Sequence, residues 1–405
     1  MKLDSLQCLD AASLAKLISN PNPSVGCVIS TSEQPRLVGY TQPRGGPHAE
    51  IMALRAAQAQ GIDVRGQIVL VSLEPCAHHG RTPPCTSALI AAGVGKVVVT
   101  ILDPNPLVAG KGVQQLRDAG IEVEVLPPDH PDAVASRELN IGFFSRMVRG
   151  VPWVRMKVAA SLDGVTALAS GQSQWITSEA ARADGQGWRA RACAVLTGIG
   201  TVLADDPQLN VRAVLDGPDG KIPAPRQPHL VVVDSQLDIP LNAKLLQTIG
   251  QRGQASSAYT QETIDMIAPR RVLIYHASHD SSKIKALEAL GAKLIYLPEA
   301  ASGKVELPGM MRDLAQVQEI NELHVEAGFK LNGSLVKAGL VDEFVLYLAP
   351  KLLGSGLGIA NLQALPALKD LPPAQTLEFK STKLIGEGAE QDLRIVARVR
   401  GRDRF

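Results

Sequence analysis

His48-Ala49-Glu50, followed by Leu73-Glu-Pro-Cys76-Ala-His-His-Gly-Arg-Thr-Pro-Pro-Cys85, is the part of the chain from which the fold is read. One imidazole and two thiols make three ligands for zinc and leave a fourth position open to water. A metal held this way lowers the pKa of its bound water toward ~7. Glu50 lies two residues from His48, roughly 200° round an ideal helix. That spacing argues against a second ligand beside the histidine and suits a carboxylate that shuttles protons. The competing reading is a closed zinc knot without chemistry, with His78 or His79 as a fourth ligand; a knot has no use for the His-x-Glu pair.

Working outward, Cys76 follows a β-rich run, Ile68 to Leu73, and Cys85 opens a helix over Thr86 to Ala92. A helix N-terminus favours the thiolate that binds metal. Pro47 leads into a second helix, Ala49 to Gln60, stopped by Gly61. Strands are predicted at Val25 to Ser30, Val97 to Ile101 and Ile121 to Leu126, with a helix at Val113 to Ala119. This alternation implies a mostly parallel sheet carrying helices. Pro127-Pro-Asp-His-Pro131 and a polar helix lead to Arg149-Gly-Val-Pro152, which sets expected domains of 1–149 and 150–405. The second half repeats the α/β pattern. A strand at Trp153 to Ala160, a helix at Ser178 to Arg191 and a strand at Ala194 to Thr197 open it. Strands then recur at Leu230 to Val233, Val272 to Tyr275, Lys293 to Leu297, Leu323 to Glu326 and Phe344 to Leu348. The strand-rich close, Thr376 to Phe379 and Leu393 to Val399, points to a mixed sheet; Gln247 to Arg271 reads as a polar surface excursion.

Composition narrows the function. A net charge of +1 gives no long-range pull toward nucleic acid, and three Trp, five Tyr and six Phe supply few base-stacking platforms. No apolar run is long enough to span a bilayer and no signal peptide is evident, so a soluble, cytoplasmic protein is expected. Five cysteines make no even disulfide framework; two are accounted for by the metal.

His-x-Glu with Pro-Cys and a second Cys is the signature of zinc deaminases acting on pyrimidine or purine rings. Added to it are Asn20-Pro-Asn-Pro, Val25-Gly-Cys-Val, the eight-residue gap between Cys76 and Cys85, and Asp103-Pro-Asn-Pro-Leu-Val-Ala-Gly110. Together they resemble the deaminase half of the bifunctional riboflavin-biosynthesis deaminase/reductase family. Lys157-Val-Ala-Ala-Ser-Leu-Asp-Gly164, Trp175-Ile-Thr, Gly198-Ile-Gly-Thr-Val-Leu-Ala-Asp-Asp-Pro207, Val325-Glu-Ala-Gly328 and Leu346-Tyr-Leu-Ala-Pro350 resemble its reductase half. The resemblance covers nearly the whole chain in the family's order. It implies an α/β architecture: a cytidine-deaminase-like three-layer domain, then a dihydrofolate-reductase-like mixed-sheet domain. Three departures stand out: the helix before Asn20 looks short, the usual Gly-rich lead into Pro-Asn-Pro is missing, and Phe329-Lys330 replaces the commoner Pro-Thr after Gly328.

The resemblance implies two reactions and two cofactors, one Zn2+ per chain and NADPH. The first is hydrolytic deamination of a 2,5-diaminopyrimidinone ribosyl-5-phosphate, with His48, Cys76 and Cys85 on the metal and Glu50 moving protons. Asn22, His78, Arg81 and Asn105 would border that substrate; loop solvation for His78 and Arg81, and turn formation for the asparagines, are the plainer readings. The second is reduction of the ribosyl side chain to ribityl. Ala159, Trp175, Thr201, Asp205, Ser235 and the run Gly328, Phe329, Lys330, Leu331, Asn332, Gly333, Ser334 would line the dinucleotide. Ser173, Arg189, Leu209, Arg212 and Glu326 would hold the substrate. For Trp175 and Arg189 the plain alternatives are a core aromatic and a solvated helix face. Lys157, Asp205 and Glu326 are the candidates for handling the proton, unranked. At the end of the strand Leu230 to Val233, Ser235 suits a 2′-phosphate whereas Asp234 suits a bare ribose, so the residues alone leave the cofactor open. The expected partners are small pyrimidine ribotides and a second copy in a homodimer or homotetramer, with no nucleic acid or membrane. A nucleic-acid-editing deaminase and a non-catalytic descendant are the rival readings; neutral charge and scarce aromatics weigh against the former.

Overall fold

The computed structural model describes residues 2–30, 36–78, 83–106, 108–217 and 220–405. It divides into two compact units. The first comprises Met1–Arg149 with Gly217–Gly220 and Gln254–Ala268, and the second holds the remainder.

In the first unit the order is α1 (Lys2–Ala15), β1 (Gly26–Ser30), β2 (Leu37–Tyr40), α2 (Ala49–Gln60), β3 (Ile68–Val71), α3 (Cys85–Ala91), β4 (Lys96–Val99), α4 (Lys111–Asp118), β5 (Glu122–Val125), α5 (Pro131–Leu139) and α6 (Ile141–Arg149). The strands form one sheet in the order β2-β1-β3-β4-β5. Only β3-β4 and β4-β5 pair in parallel; β1 runs antiparallel to both β2 and β3. The expectation of a mostly parallel sheet thus holds for one side only. The expected short N-terminal helix is a 14-residue one, docked so that the Cys8 thiol donates to the Gly26 carbonyl of β1 at 3.1 Å.

Two local features bound α2 and place its metal-binding end. Gly61 stops the helix at φ 66° and its N–H closes onto the Ala57 and Gln58 carbonyls, a conformation that costs other residues more. Gly39 of β2 lets the helix start lie against the sheet, since a Cβ there would sit 2.2 Å from the Ala49 carbonyl oxygen.

The second unit contains β6 (Trp153–Ser161), α7 (Glu179–Arg191), β7 (Ala194–Gly198), α8 (Ile199–Asp205), β8 (His229–Val233), β9 (Val272–His276), α9 (Ser281–Ala289), β10 (Lys293–Tyr296), α10 (Leu307–Gln316), β11 (Glu322–Val325), α11 (Phe329–Lys337), β12 (Glu343–Ala349), β13 (Leu377–Ile385) and β14 (Asp392–Val399). Among the described residues nine strands make a mixed sheet, β10-β9-β8-β7-β11-β6-β12-β14-β13. Pairing is parallel from β10 to β12 and antiparallel at β14. The core lies between sheet and helices, with Met156, Leu196, Val231, Leu273, Met310, Leu323 and Leu335 fully buried. Of the adjacent parallel strands β7 and β11, β7 runs straight into α8 and β11 leads through residues 326–328 into α11. A crevice at the carboxyl ends of parallel strands is where such sheets take ligands.

Candidate active sites

In the first unit, β3 ends just before Glu74-Pro75-Cys76, α3 begins at Cys85, and His48 precedes the first residue of α2. These three ends converge. One donor atom from each of His48, Cys76 and Cys85 lies within 4.8 Å of the others. The His48 Nδ1 is 3.6 Å from the Cys76 sulfur and 3.3 Å from the Cys85 sulfur. Tetrahedral zinc, with bonds of ~2.3 Å to sulfur and ~2.0 Å to nitrogen, requires S···N of about 3.5 Å. The donor set therefore fits zinc in kind, number and spacing. The Cys85 N–H donates to the Cys76 sulfur at 3.4 Å, which favours its thiolate. Hydrogen bonding from Cys85 holds the Cys76 thiol well below its usual range, at about 4, while the same contact and burial push the Cys85 thiol up.

A cavity of about 280 Å³ opens over His48 and Cys76. Glu50, 3 % exposed, lines it from the first turn of α2, and burial raises its carboxyl above the ordinary carboxylate value. Asn22, His78 and Asn105 also line it, His78 from an exposed position. The turn at Asn105 is closed by the Asp103 carboxylate, which accepts the Asn105 N–H at 2.7 Å. Asp103 itself faces the cavity, and burial pushes its carboxyl up to about 7. Arg81 and His79 lie outside the described residues. Sequence reasoning missed Arg44, Asp103, Phe143 and Arg146, which all line the cavity. Arg44 lies four residues before His48, a nearby cation that could have been noticed. Phe143 and Arg146 sit on α6, some sixty residues past the last ligand, and no local pattern announces them.

In the second unit Glu326 follows β11 and meets Arg189 of α7. The guanidinium grips it at two points, Nε to Oε1 at 2.6 Å and Nη2 to Oε2 at 2.8 Å, while Nη1 donates to the Asn210 carbonyl at 2.6 Å. Arg189 is buried, so it is no solvated helix-face residue. Burial pushes the Glu326 carboxyl up, but the Arg189 charge and its hydrogen bonds overcome this and hold it well below the usual range. Lys157 of β6 lies 5.7 Å from the Tyr347 ring centroid, and burial lowers its ammonium.

The two glycine-bearing turns come together. A Cβ at Gly198 would lie 3.0 Å from Leu331, and one at Gly328 would lie 3.7 Å from the Thr201 hydroxyl. Gly328 caps α11, so free N–H donors sit at its first turn. Farther along, the Asn332 N–H is bonded to the Gly328 carbonyl at 3.1 Å, and its side chain donates to the Ile359 carbonyl at 3.1 Å. Gly333 abuts Asn361, and the exposed Ser334 hydroxyl donates to Lys330. At the end of β8 the Ser235 hydroxyl oxygen accepts the Val305 N–H at 3.1 Å, leaving its proton to donate. Asp234 is fully buried and turned away, accepting from Asp238 and Ile239 N–H at 3.0 and 2.8 Å. Trp175 is two-thirds exposed under the Arg182 guanidinium, 4.4 Å from its ring centroid; it is not a core aromatic. Ala159 lies on β6 beside Tyr347. Asp205 and Arg212 are exposed, Ser173 is half-buried and Leu209 is buried.

Residues 4–101 match the model of the cytidine and deoxycytidylate deaminase zinc-binding region. Residues 152–390 match that of the RibD C-terminal domain. The riboflavin biosynthesis protein RibD of Escherichia coli (strain K12) is 42 % identical over 388 residues, covering 94 % of this chain and 95 % of that protein. Its counterpart in Haemophilus influenzae is 40 % identical, covering 92 % of each. Among solved structures, Acinetobacter baumannii RibD (form 1) aligns with a TM-score of 0.77 at 38 % identity, covering 98 % of each chain. A Thermotoga maritima diaminohydroxyphosphoribosylaminopyrimidine deaminase/5-amino-6-(5-phosphoribosylamino)uracil reductase aligns with a TM-score of 0.75 at 26 % identity, again covering 98 % of each.

Proposed function

The chain belongs to the RibD family of bifunctional, zinc- and NADPH-using deaminase/reductases of riboflavin biosynthesis, and from that premise we propose which residues carry each reaction. The deaminase substrate is 2,5-diamino-6-ribosylamino-4(3H)-pyrimidinone 5′-phosphate. His48, Cys76 and Cys85 would hold zinc, which would supply a water acidic enough to lose a proton near neutral pH. Glu50 receives that proton at its carboxylate and passes it to the departing ammonia; its burial beside the donor set is the observation that carries the reading. Arg44 and Arg146 give the cavity rim the cationic character a 5′-phosphate requires, and His78 adds an imidazole beside them.

The deaminated product is then reduced to 5-amino-6-ribitylaminouracil 5′-phosphate, with NADPH as the source of hydride. Thr201 and the first turn of α11 face the dinucleotide phosphates, and Ser235 donates to the 2′-phosphate. Trp175, Ala159, Asp205 and Ser173 border the same crevice. Arg189, with Glu326, Leu209 and Arg212, orients the sugar phosphate. Glu326 is no proton donor, because Arg189 keeps it ionised. Lys157 is the donor: burial makes its proton easier to give. None of the five cysteines is paired in a disulfide, which supports a reducing, cytoplasmic location. The outer strand β13 leaves Phe379 74 % and Leu384 58 % exposed; this sheet edge supports a homo-oligomer joined through the second unit.

The test compares Glu50→Gln and Cys76→Ser in the full chain. Glu50→Gln should keep about one zinc per chain yet lose at least ~10²-fold in ammonia release. Cys76→Ser should lose both. Reduction of deaminated substrate should persist in each. Near-normal ammonia release by Glu50→Gln would refute its role.

A further inference from the structure

Residues 254–268 come from the second half of the sequence, where a polar surface excursion is expected, yet they cluster within the first unit. They are anchored there. Tyr259 is 1 % exposed and its hydroxyl donates to the Leu14 carbonyl of α1 at 2.8 Å. The Tyr40 hydroxyl, at the end of β2, donates to the Ala258 carbonyl at 3.4 Å. Between these anchors the chain is preorganised: the Ser256 hydroxyl accepts the Ala258 and Tyr259 N–H groups at 3.2 and 3.3 Å. Thr260 caps the short helix Gln261–Met266 by accepting the Thr263 N–H at 3.2 Å. At its far end Met266 lies against the backbone of Gly46, where a Cβ would stand 3.0 Å from the Met266 methyl.

All three anchor points feed the deaminase cavity. Leu14 leads through Ser19 to Pro21-Asn22-Pro23, Tyr40 leads to Thr41, and Gly46 lies beside Arg44 and two residues before His48; Asn22, Thr41, Arg44 and Gly46 line the cavity. The loop between β2 and α2 is tied at its start, where the Thr41 N–H donates to the Val25 carbonyl at 3.0 Å. Within itself it is tied by the Gln42 N–H to Pro47 carbonyl bond at 3.1 Å and the Gly46 N–H to Pro43 carbonyl bond at 2.8 Å. Met266 adds an apolar contact at Gly46. We propose that residues 254–268 brace this wall, with Tyr259 and Met266 as positioning residues that hold the phosphate-facing side of the deaminase cavity in its substrate-binding shape. By this inference the deaminase is not complete in residues 1–149. The inference rests on the deaminase reading above.

The brace acts on binding and leaves the proton chemistry alone. Loosening it lowers the fraction of molecules with a competent wall, and the apparent affinity falls by that fraction. Glu50 stands on α2, Cys76 follows β3 and Cys85 opens α3, none of which these anchors touch, and His48 is held as the N-cap of α2, two residues past Gly46. The experiment uses the full chain bearing Tyr259→Phe with Met266→Ala. KM for the diaminopyrimidine ribotide should rise about tenfold, on the order of one lost buried hydrogen bond plus one lost apolar contact. The kcat for ammonia release, the zinc content and the reductase kinetics should stay within about twofold, the last showing that the chain is folded. Met266→Leu, which keeps the apolar contact, should restore part of the affinity when combined with Tyr259→Phe, the share of the lost hydrogen bond remaining. An unchanged KM overturns the inference, as does a loss of kcat and zinc in step with affinity. Wild-type protein that releases no ammonia from the ribotide would sink the deaminase reading itself, a different outcome from an unmoved KM.

Discussion

Glu74 offers the sharpest test of how the first site is built. Its side chain is 4 % exposed and accepts four backbone N–H groups. Oε2 takes those of Asp103 and Gly110 at 3.2 and 2.9 Å, and Oε1 takes those of Gly112 and Val113 at 2.9 and 3.1 Å. Three of these donors belong to the start of α4, whose N-cap is Gly110 and so has no side chain to cap it. Glu74 does that work from the loop after β3, its charge complemented by the helix dipole. The same carboxylate fixes the turn that presents Asp103 and Asn105 to the cavity. Glu74→Gln is nearly isosteric but keeps one acceptor oxygen; its NH2 then faces two N–H donors. Two charge-assisted bonds are lost, worth ~1.5–3 kcal/mol each, for a total of about 3–6 kcal/mol. For a unit of this size that lowers the unfolding midpoint by roughly 10–20 °C. Below that midpoint, KM for the deaminase substrate should rise while reduction of the deaminated product is unaffected. Calorimetry on the full chain, with ammonia release and zinc content measured at low temperature, reads all three. A midpoint within about 3 °C of wild type, together with an unchanged KM, would show that the four N–H contacts do not organise the turn.

Other expectations follow from the second unit. Ser235→Ala should raise KM for NADPH about tenfold, the loss of one hydrogen bond to a charged group, and leave NADH nearly untouched; equal losses with both cofactors would mean Ser235 only supports Val305. Arg189→Lys cannot reproduce the two-point grip on Glu326, so reductase kcat/KM should fall by at least ~10-fold with ammonia release intact; an unchanged reductase would remove Arg189 from the site. His324, 1 % exposed, packs near Glu326, Arg189, Arg155 and Lys157, and burial lowers its pKa to about 3. Its folded pKa lies below the unfolded value of ~6.5, so the unfolded chain gains a proton that the folded one refuses. Its contribution to stability is complete above pH ~6.5 and is lost at ~1.4 kcal/mol per unit as pH falls toward 3. His324→Leu should therefore shrink the drop in urea stability between pH 7.5 and pH 5 by about 2 kcal/mol; an identical drop would refute the assignment.

The sequence by itself determined what short-range physics controls. Pro47, the Ala-rich run and Gly61 set α2 to the residue, because caps, propensity and a left-handed stop act within a turn of the chain. The metal donors were legible for a related reason: zinc chemistry restricts them to a few residue types, and their motif spacing is written along the chain. β2 escaped notice, four residues with no clear alternation, and with it went the antiparallel half of the first sheet. Tertiary structure alone decided the rest. It brought Phe143 and Arg146 of α6 over the metal ligands and set Glu74 against the bare start of α4. It closed on Glu326 an arginine 137 residues away, which holds that carboxyl well below the usual range. It also took a polar stretch that reads as surface and buried Tyr259 in it against α1. Each of these depends on which faces meet once the core has closed, and local periodicity carries no record of that.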